Sequence, residues 1–377
     1  MIGVESQYIL KISLGEFEDL VEKEDLVSLL VVEEAGGYLP SFELNFFTSK
    51  EEIIPYLNEG NEIKISLGKD KNELLDYSMK ILSIEKTRVG QNKYQIVLHG
   101  MYNQLRYLSD CKISISDERS GVEEILRISS GYFNNVSNIS SSSDSQHWIQ
   151  PNISDRSFIS NIWLRSYRPE SFTIMGISSE GDFILKDVKT LMEDNPQFEF
   201  IPEGKKKENQ IIFDPGYTDQ ITTGIVNQWL GYNREKSLFN IDNGVESTLA
   251  PSFHPFLAQT SGLNRTTDIT KKVDDFGVLT ENMHSRFHEA YIQNNTYLGL
   301  FSTVSMPISF TGNFEHVKIL DLVYFKDQVA QNVEMASEYY SGLYIVSLVS
   351  RQVTDSQFKT TVILNRESGN AMRGELS

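Results

Sequence analysis

The sequence is short of the features that mark enzymes, secreted proteins and nucleic-acid binders. Its 377 residues contain one cysteine, Cys111, so no intrachain disulfide forms and folding does not depend on an oxidising compartment. No apolar run approaches the ~20 residues that cross a bilayer, so no membrane insertion is expected. The start, Met-Ile-Gly-Val-Glu-Ser-Gln, has neither a basic region nor a long apolar core, so no signal peptide is expected. Basic residues are few: 34 Lys and Arg stand against 52 Asp and Glu, a formal net charge of −18. Such a surface does not wrap nucleic acid, because phosphate binding needs Lys and Arg on the contact face. It still lets DNA slide past, since an acidic wall repels a polyanion and keeps it from sticking. The run Lys205-Lys-Lys207 is too short for a DNA site and reads as a solvated loop.

Catalytic signatures are missing too. There is no Gly-x-Ser-x-Gly and no phosphate loop, and Gly121 and Gly131 frame a helix rather than a dinucleotide turn. Cys111 has no histidine close in sequence and reads as a small buried apolar residue. His284-Ser-Arg-Phe-His288 has zinc-ligand spacing, but Ser285 stands where a zinc protease has its catalytic Glu. An exposed polar helix face is expected there. Glu33-Glu34, Glu123-Glu124 and Asp274-Asp275 are adjacent acid pairs. Neighbours on a strand point to opposite faces, whereas glycoside acid–base work needs two carboxyls facing one cleft at ~5–9.5 Å. All three pairs read as solvated surface. Trp148, Trp163 and Trp229 read as core or subunit-interface packing rather than a sugar-binding strip. Five Asn-x-Ser/Thr matches (Asn135, Asn138, Asn152, Asn264, Asn294) are accidents of an Asn- and Ser-rich chain. No catalytic, cofactor-binding or metal residue is expected, and no cofactor.

What is present is β-pattern. With 40% hydrophobic and 11% aromatic residues the chain can bury large cores, and its length implies two to four domains. Residues 341–366 read as two strands around a turn at 354–357, rich in β-branched and aromatic residues. Leu343, Ile345 and Val349 are expected on one face, and Tyr344, Val346 and Leu348 on the other. Both faces are apolar, which calls for a sheet covered on both sides. Residues 79–98 repeat the pattern 264 residues earlier: Ile81 matches Ile345, Ser83 Ser347, Val89 Val353 and Tyr94 Phe358. Glu62–Ile65 resembles His316–Ile319 at a spacing of 254. Two related β-modules at the two ends of the chain are the implied arrangement.

The expected fold is α+β and predominantly β: two similar small β-barrel modules with α+β domains between them. Residues 1–108 form the first module, with strands near 8–14, 26–32, 41–47, 62–67, 78–88 and 93–101, and a short helix at 49–57 capped by Ser49. Residues 109–210 form a middle α+β domain. It holds a helix at 120–128 with Val122, Ile125 and Leu126 on one face, and a helix capped by Ser154 or Asp155 burying Phe158, Ile159, Ile162 and Trp163. Strands are expected near 171–177, 182–186 and 198–201. Residues 211–280 have weak periodicity and read as an irregular connecting subdomain. Residues 281–377 hold a helix near 282–300 and the second module, with a frayed tail.

The order of these segments resembles the central hub proteins of contractile phage tail baseplates, and is similar to the base domain of type VI secretion spike proteins. The resemblance spans nearly the whole chain on short motifs. Ser154, Asp155, Phe158 and Ile159 stand at the family's Ser/Asp-x-x-Phe-Ile/Leu helix. Gly342, Tyr344 and Val346 open its last hairpin, and Phe358 and Thr360 return it. The resemblance implies a structural protein and not an enzyme: a homotrimer whose six modules adapt a sixfold tail tube to a threefold spike, around a DNA ejection channel; the net charge of −18 adds the expectation of an acidic channel wall. It implies as partners a tail tube protein, a spike or spike-lysozyme protein, baseplate wedge proteins and passing DNA without specific binding. The implied place is the virion baseplate, assembled in the host cytoplasm. Many relatives continue into a spike or enzyme domain; this chain stops at Ser377, so a separate spike is expected. Ile81, Ile84, Val89, Ile345, Leu348 and Val353 are expected to be buried in the trimer. Two other readings stand: the tail-tip protein of a long flexible tail, and a carbohydrate-binding or carbohydrate-cleaving surface protein.

Overall fold

The computed structural model describes residues 8–68, 74–137, 139–202, 209–214, 220–221, 234–249, 272–302, 304–312, 317–327, 340–354 and 357–367. The readings at Lys205–Lys207, Trp229, Asn138 and Asn264 lie outside them, as do much of 211–280, the tail and the side chains of Asp274 and Asp275.

Six strands open the chain: β1 (Ile9–Leu14), β2 (Leu26–Glu34), β3 (Ser41–Thr48), β4 (Glu62–Gly68), β5 (Leu74–Arg88) and β6 (Tyr94–Tyr102). Each alternates, so Leu29, Val31, Leu44, Ile63, Ile65 and Leu98 are buried while their neighbours face outward. A 3-10 turn at Glu51–Tyr56 replaces the expected helix. Pro55 within it offers no backbone donor. Ser49 does not cap it; the Lys50 backbone N–H donates to Thr48 Oγ1 at 3.1 Å.

The middle elements are α1 (Arg106–Ser109), β7 (Cys111–Arg119), α2 (Gly121–Ser129), β8 (Asn135–Val136), β9 (Gln146–Ser154), α3 (Asp155–Trp163), β10 (Thr173–Ile177), β11 (Asp182–Asp187), α4 (Val188–Glu193), β12 (Phe198–Ile201) and β13 (Gln210–Ile212). Helix α2 begins with a capping box: Ser120 Oγ accepts from the Glu123 N–H at 3.2 Å, and Glu123 Oε2 accepts from the Ser120 N–H at 3.0 Å. Ser154, not Asp155, caps α3, its Oγ accepting from the Ser157 N–H at 3.3 Å. Strands β7 and β9 pair antiparallel as a two-stranded ribbon. Its outer face leaves Ile113, Ile115 and Ile149 exposed, and Cys111 is exposed at its start, not buried.

The last elements are β14 (Gln220–Ile221), β15 (Arg234–Asn240), β16 (Val245–Leu249), β17 (Lys272–Leu279), α5 (Phe287–Phe301), β18 (Val304–Thr311), β19 (Leu322–Phe325), β20 (Gly342–Val353) and β21 (Phe358–Arg366). Strands β16-β15-β17 form a small sheet within the segment expected to be irregular.

The two ends of the chain meet in one thirteen-stranded sheet, ordered β1-β4-β5-β6-β3-β2-β20-β19-β12-β13, with β21, β18 and β14 continuing from the other edge of β20. Among the described strands the sheet is open and closes no barrel. The reason lies in β20. One of its edges serves two partners: β19 pairs with Gly342–Ile345 and β2 with Leu348–Val353. The N-terminal strands therefore run on into the C-terminal ones instead of turning back. A bulge between Val346 and Leu348 also shifts the phase of β20. Tyr344, Ile345 and Val346 are buried in succession, after which Val349, Arg351 and Val353 face inward. The expected face assignment is therefore right only up to the bulge.

Two cores result. One joins the N-terminal strands to α2 and α3; the other joins β18–β21 to Phe172, Ile174, Val188 and Leu191. Strand β10, buried throughout, feeds both: Met175 and Ile177 pack into the first core and Ile174 into the second.

Candidate functional site

The chemistry-bearing feature of this chain is the seam where its two ends meet. It rests on a repeat of pairing partners. In hairpin β5–β6, Ile81 pairs with Gly100, Ile84 with Leu98 and Arg88 with Tyr94. In β20–β21, Val346 pairs with Leu364, Val349 with Val362 and Val353 with Phe358. Matched by partner, the return arms are 264 residues apart and the first arms 265, because the second turn is one residue shorter. The expected spacing therefore holds on the return arm, and Ile81 corresponds to Val346 rather than Ile345. Each first arm carries a bulge at the same place, Leu82 and Ser347.

The neighbours repeat as well. Strands β3 and β18 match at 264, placing buried Phe42, Leu44 and Phe46 over buried Met306, Ile308 and Phe310. Strands β4 and β19 match at 260: Ile63 pairs with Met79, and Val323 with Tyr344. This overturns the expected match of Glu62–Ile65 to His316–Ile319, which rested on hydrophobic alternation alone. The loop bonds agree with the spacing of 260. The Ile81 N–H donates to Asn61 O at 3.0 Å and the Gly60 N–H to Ile81 O at 2.8 Å. In the second set the Val346 N–H donates to Asp321 O at 3.0 Å and the Leu320 N–H to Val346 O at 2.7 Å. Gly60 and Leu320 both take the left-handed conformation, with φ of 87° and 63°. That cost is ordinary for glycine and unusual for leucine.

At the seam, Arg351 and Glu33 form an ion pair whose side chains are each 2% exposed. Arg351 Nη1 donates to Glu33 Oε1 at 2.5 Å and Nη2 to Val317 O at 2.7 Å. Ser179 Oγ, in the β10–β11 turn, donates to the same Glu33 oxygen at 2.6 Å. One carboxylate thus binds β20 and the middle domain to β2. Burial raises the nearby Tyr77 hydroxyl to about 12, with the Arg351 charge pulling the other way. Strand alternation does separate the acid pair, as expected: Glu34 is exposed. Glu33, however, is the opposite of solvated surface. Lys86 stands where Arg351 does in the first set, and its Nζ donates to Ile54 O and Leu57 O at 3.2 and 3.1 Å. Leu57 corresponds to Val317.

Glu124, expected at the surface, and Asp155, expected as a possible helix cap, are also buried and paired. Glu124 is 1% exposed and accepts from Arg127 Nε and Nη2 at 2.8 and 2.7 Å. Asp155 is 2% exposed; Lys112 and Tyr132 donate to Oδ2, and Gln150 Nε2 to Oδ1 at 2.8 Å. Burial alone would raise this carboxyl, but the three donors outweigh it and hold it below the ordinary range. Asp155 thus fastens the β7–β9 ribbon to α3.

His284 and His288 are buried, not on an exposed face, and His284 precedes α5 rather than lying within it. His284 Nε2 meets Arg165 O at 3.1 Å and His288 Nε2 meets Val278 O at 2.9 Å. Burial lowers both imidazoles, and each ring is bound to a carbonyl of its own rather than to a shared centre. Among the described residues no cluster of three metal-ligating side chains occurs.

Trp148 is buried and Trp163 half-buried; their indole N–H groups donate to Arg119 O and Thr173 O at 3.0 and 2.8 Å. This is the packing role expected. A cleft of about 540 Å³ beside the seam is lined by Tyr38, Arg156, Trp163, Met175, Leu298 and Phe301 among others. Its lining holds one carboxylate, Glu34, so no two-acid glycosidase pair is built there. The open face of the large sheet mixes Glu34, Glu43, Glu62 and Asp76 with Lys11, Lys64, Lys80 and Lys359. These charges are of both signs.

The motif residues of the hub resemblance sit in the core: Phe158, Ile159, Tyr344, Val346, Phe358 and Thr360 are all buried. No protein-family model matches the sequence, and no curated protein matches it. Solved structures do. The chain is similar to a tail protein from Neisseria meningitidis MC58, with a TM-score of 0.61 and 7% identity over 96% of this chain and 97% of that one. It is similar to the 43 kDa tail protein of prophage MuSo2 from Shewanella oneidensis, with a TM-score of 0.62 and 8% identity over 96% and 99%. It is also similar to an Escherichia coli component of the type VI secretion system, described as resembling bacteriophage T4 tail proteins. There the TM-score is 0.52 and identity 10% over 95% of this chain and 78% of that one. The chain has the fold of these tail proteins.

Proposed function

We propose that this chain is the central hub of a phage tail baseplate, a structural homotrimer that adapts a sixfold tail tube to a threefold spike. The observation that carries the reading is the repeat of pairing partners between the strand sets at the two ends of the chain. Three copies of a chain with two like sets present six like edges to a hexamer while the true symmetry stays threefold. The likeness in fold to phage tail proteins supports the same role. The domain limits proposed are those of residues 1–108, 109–210, 211–280 and 281–377. A tail tube protein docks above, a spike or spike-lysozyme protein below, and wedge proteins at the periphery. The hub sits in the virion baseplate after assembly in the host cytoplasm.

DNA passes through the ring without specific binding, along the mixed-charge sheet face. Interspersed Lys and Glu give no continuous basic track for phosphates to grip. Of the six residues expected to be buried in the trimer, Ile81, Ile345 and Val353 are already buried within one copy. Ile84 and Leu348 are half-buried and Val89 is 48% exposed, and assembly is expected to cover these three.

Light scattering in line with size-exclusion chromatography tests the reading. A particle of three times the 43.0 kDa chain mass is expected. A monomer at every concentration, with and without the cognate spike, would overturn it.

A further inference from the structure

Among the described residues, the repeat leaves two strand edges without a partner strand. Within the chain, the outer edge of β2 pairs with β20 along Leu348–Val353. The counterpart of β20 in the first set is β5, and β4 covers β5 only from Leu74 to Lys80. From Ser83 to Arg88 no described strand pairs with the outer edge of β5. The counterpart of β2 in the second set is β14, since β2 lies beside β3 and β14 beside β18. Among the described residues β14 pairs with β18 alone. Among the described residues, the chain therefore uses one member of each matched pair of edges internally, and no described strand covers the other two.

We infer that these two open edges join each other between copies: β14 of one copy adds antiparallel to the Ser83–Arg88 edge of β5 in the next. The inference rests on the trimeric reading above and specifies its seam. The occupant is a second copy because this chain itself carries the complementary edge, and the internal β2–β20 seam is the template for the joint. A head-to-tail contact of this kind leaves the same two edges at the ends of any open chain of copies, so it is satisfied fully only when a ring closes.

The template also fixes the register. Val32 pairs with Ser41, and Gln220 with Ser305, the counterpart of Ser41; so Gln220 corresponds to Val32 and Ile221 to Glu33. Val32 faces Ser350 and Glu33 faces Val349 across the internal seam, and Ser350 and Val349 correspond to Glu85 and Ile84. Gln220 thus faces Glu85 of the next copy, and Ile221 faces Ile84. The Val89 N–H turns toward β6, donating to Lys93 O at 2.9 Å. Strand alternation then turns the N–H groups of Ile84, Lys86 and Arg88 outward, toward the incoming strand. With Lys86 in the place of Arg351 and Ile221 in the place of Glu33, the seam between copies lacks the buried ion pair of the internal one. Exposed Glu85, Lys86 and Arg88 keep the bare edge of a single copy from pairing indiscriminately.

Cysteine pairing tests the register. Glu85 and Gln220 form a non-hydrogen-bonded pair in this joint, with Cα atoms about 4.5 Å apart, inside the disulfide range of about 4.4–6.8 Å. With Cys111→Ser as background, Glu85→Cys plus Gln220→Cys should oxidise to covalent dimers and trimers on a non-reducing gel. Neither single variant should oxidise beyond dimers. Lys86→Pro removes one outward N–H without touching the β6 ladder. It should raise the concentration at which trimers dissociate by about tenfold or more, equivalent to about 1.4 kcal/mol, with an unchanged circular dichroism spectrum. A wild-type trimer without the crosslink, or a Lys86→Pro chain that trimerises as before, overturns the edge alone. A wild-type chain that stays monomeric at all concentrations overturns the trimeric reading and the edge with it.

Discussion

Removing one partner of the Glu33–Arg351 pair is the sharpest test of how the two ends of the chain are joined. Both side chains are 2% exposed, so neither can recover water when its partner is lost. Glu33→Leu leaves the Arg351 guanidinium buried with only the Val317 carbonyl for company, and strips Ser179 of its acceptor. Breaking a buried pair from one side costs about 3–5 kcal/mol. Replacing both partners by apolar residues of similar volume is often neutral or stabilising. Arg351→Met alone should therefore cost several kcal/mol, through the stranded Glu33 carboxylate. Glu33→Leu combined with Arg351→Met should recover most of the loss. Urea denaturation followed by tryptophan fluorescence and by circular dichroism measures each variant, and the four proteins form a double-mutant cycle. Single variants that each lose less than about 1 kcal/mol would refute the role of the pair as the lock of the seam. So would a double variant whose loss equals the sum of the two singles.

Gly100→Ala should destabilise the first hairpin beyond the usual 1–3 kcal/mol of overpacking, estimated as about 3 kcal/mol or more. A Cβ there would sit 2.0 Å from Lys80 O and 2.5 Å from Phe42 Cε1, and a thermal melt reads the loss. Asp155→Asn should cost about 1–3 kcal/mol by leaving the donors of Lys112 and Tyr132 and the buried Gln150 amide poorly matched. Because the folded carboxyl of Asp155 is held low, its contribution is present above the unfolded pKa of about 3.9 and is lost as pH falls through the folded value. The Asn variant should accordingly show a shallower acid limb in a stability–pH profile. His284 and His288 are lowered by burial, so the unfolded chain binds protons more readily than the folded one. Stability should fall as pH drops below about 6.5, and His288→Gln should flatten part of that slope; a profile flat from pH 8 to 5 would contradict the buried neutral rings.

The sequence was most legible where a local rule sufficed. Ser120 with Glu123, and Ser154 before a polar–apolar period, announce α2 and α3 because caps are satisfied within one turn of the chain. Strands β3, β4 and β6 show themselves by alternation, since one face is buried along their whole length, and β2 by a continuous apolar run. The ribbon β7–β9 was missed because β7 is open on most of its positions and so carries no buried stripe. Fate in space was far less legible. Glu33, Glu124, His284 and His288 look like surface residues, and each is buried because a partner distant in sequence or on the next turn satisfies it. Cys111 went the other way, being exposed at the start of an edge strand.

By itself the sequence determined the predominantly β class of the fold, the caps of α2 and α3 and the return arm of the repeated hairpin. All of these follow from periodicity and short-range chemistry, which each segment carries alone. Only the tertiary structure decided that the ends share one open sheet, that β20 divides its edge between β19 and β2, and that the first arms match at 265 rather than 264. Those depend on which backbone donors meet which acceptors across hundreds of residues. A bulge, or a turn one residue shorter, changes that choice without changing the pattern of apolar residues that announces the strands.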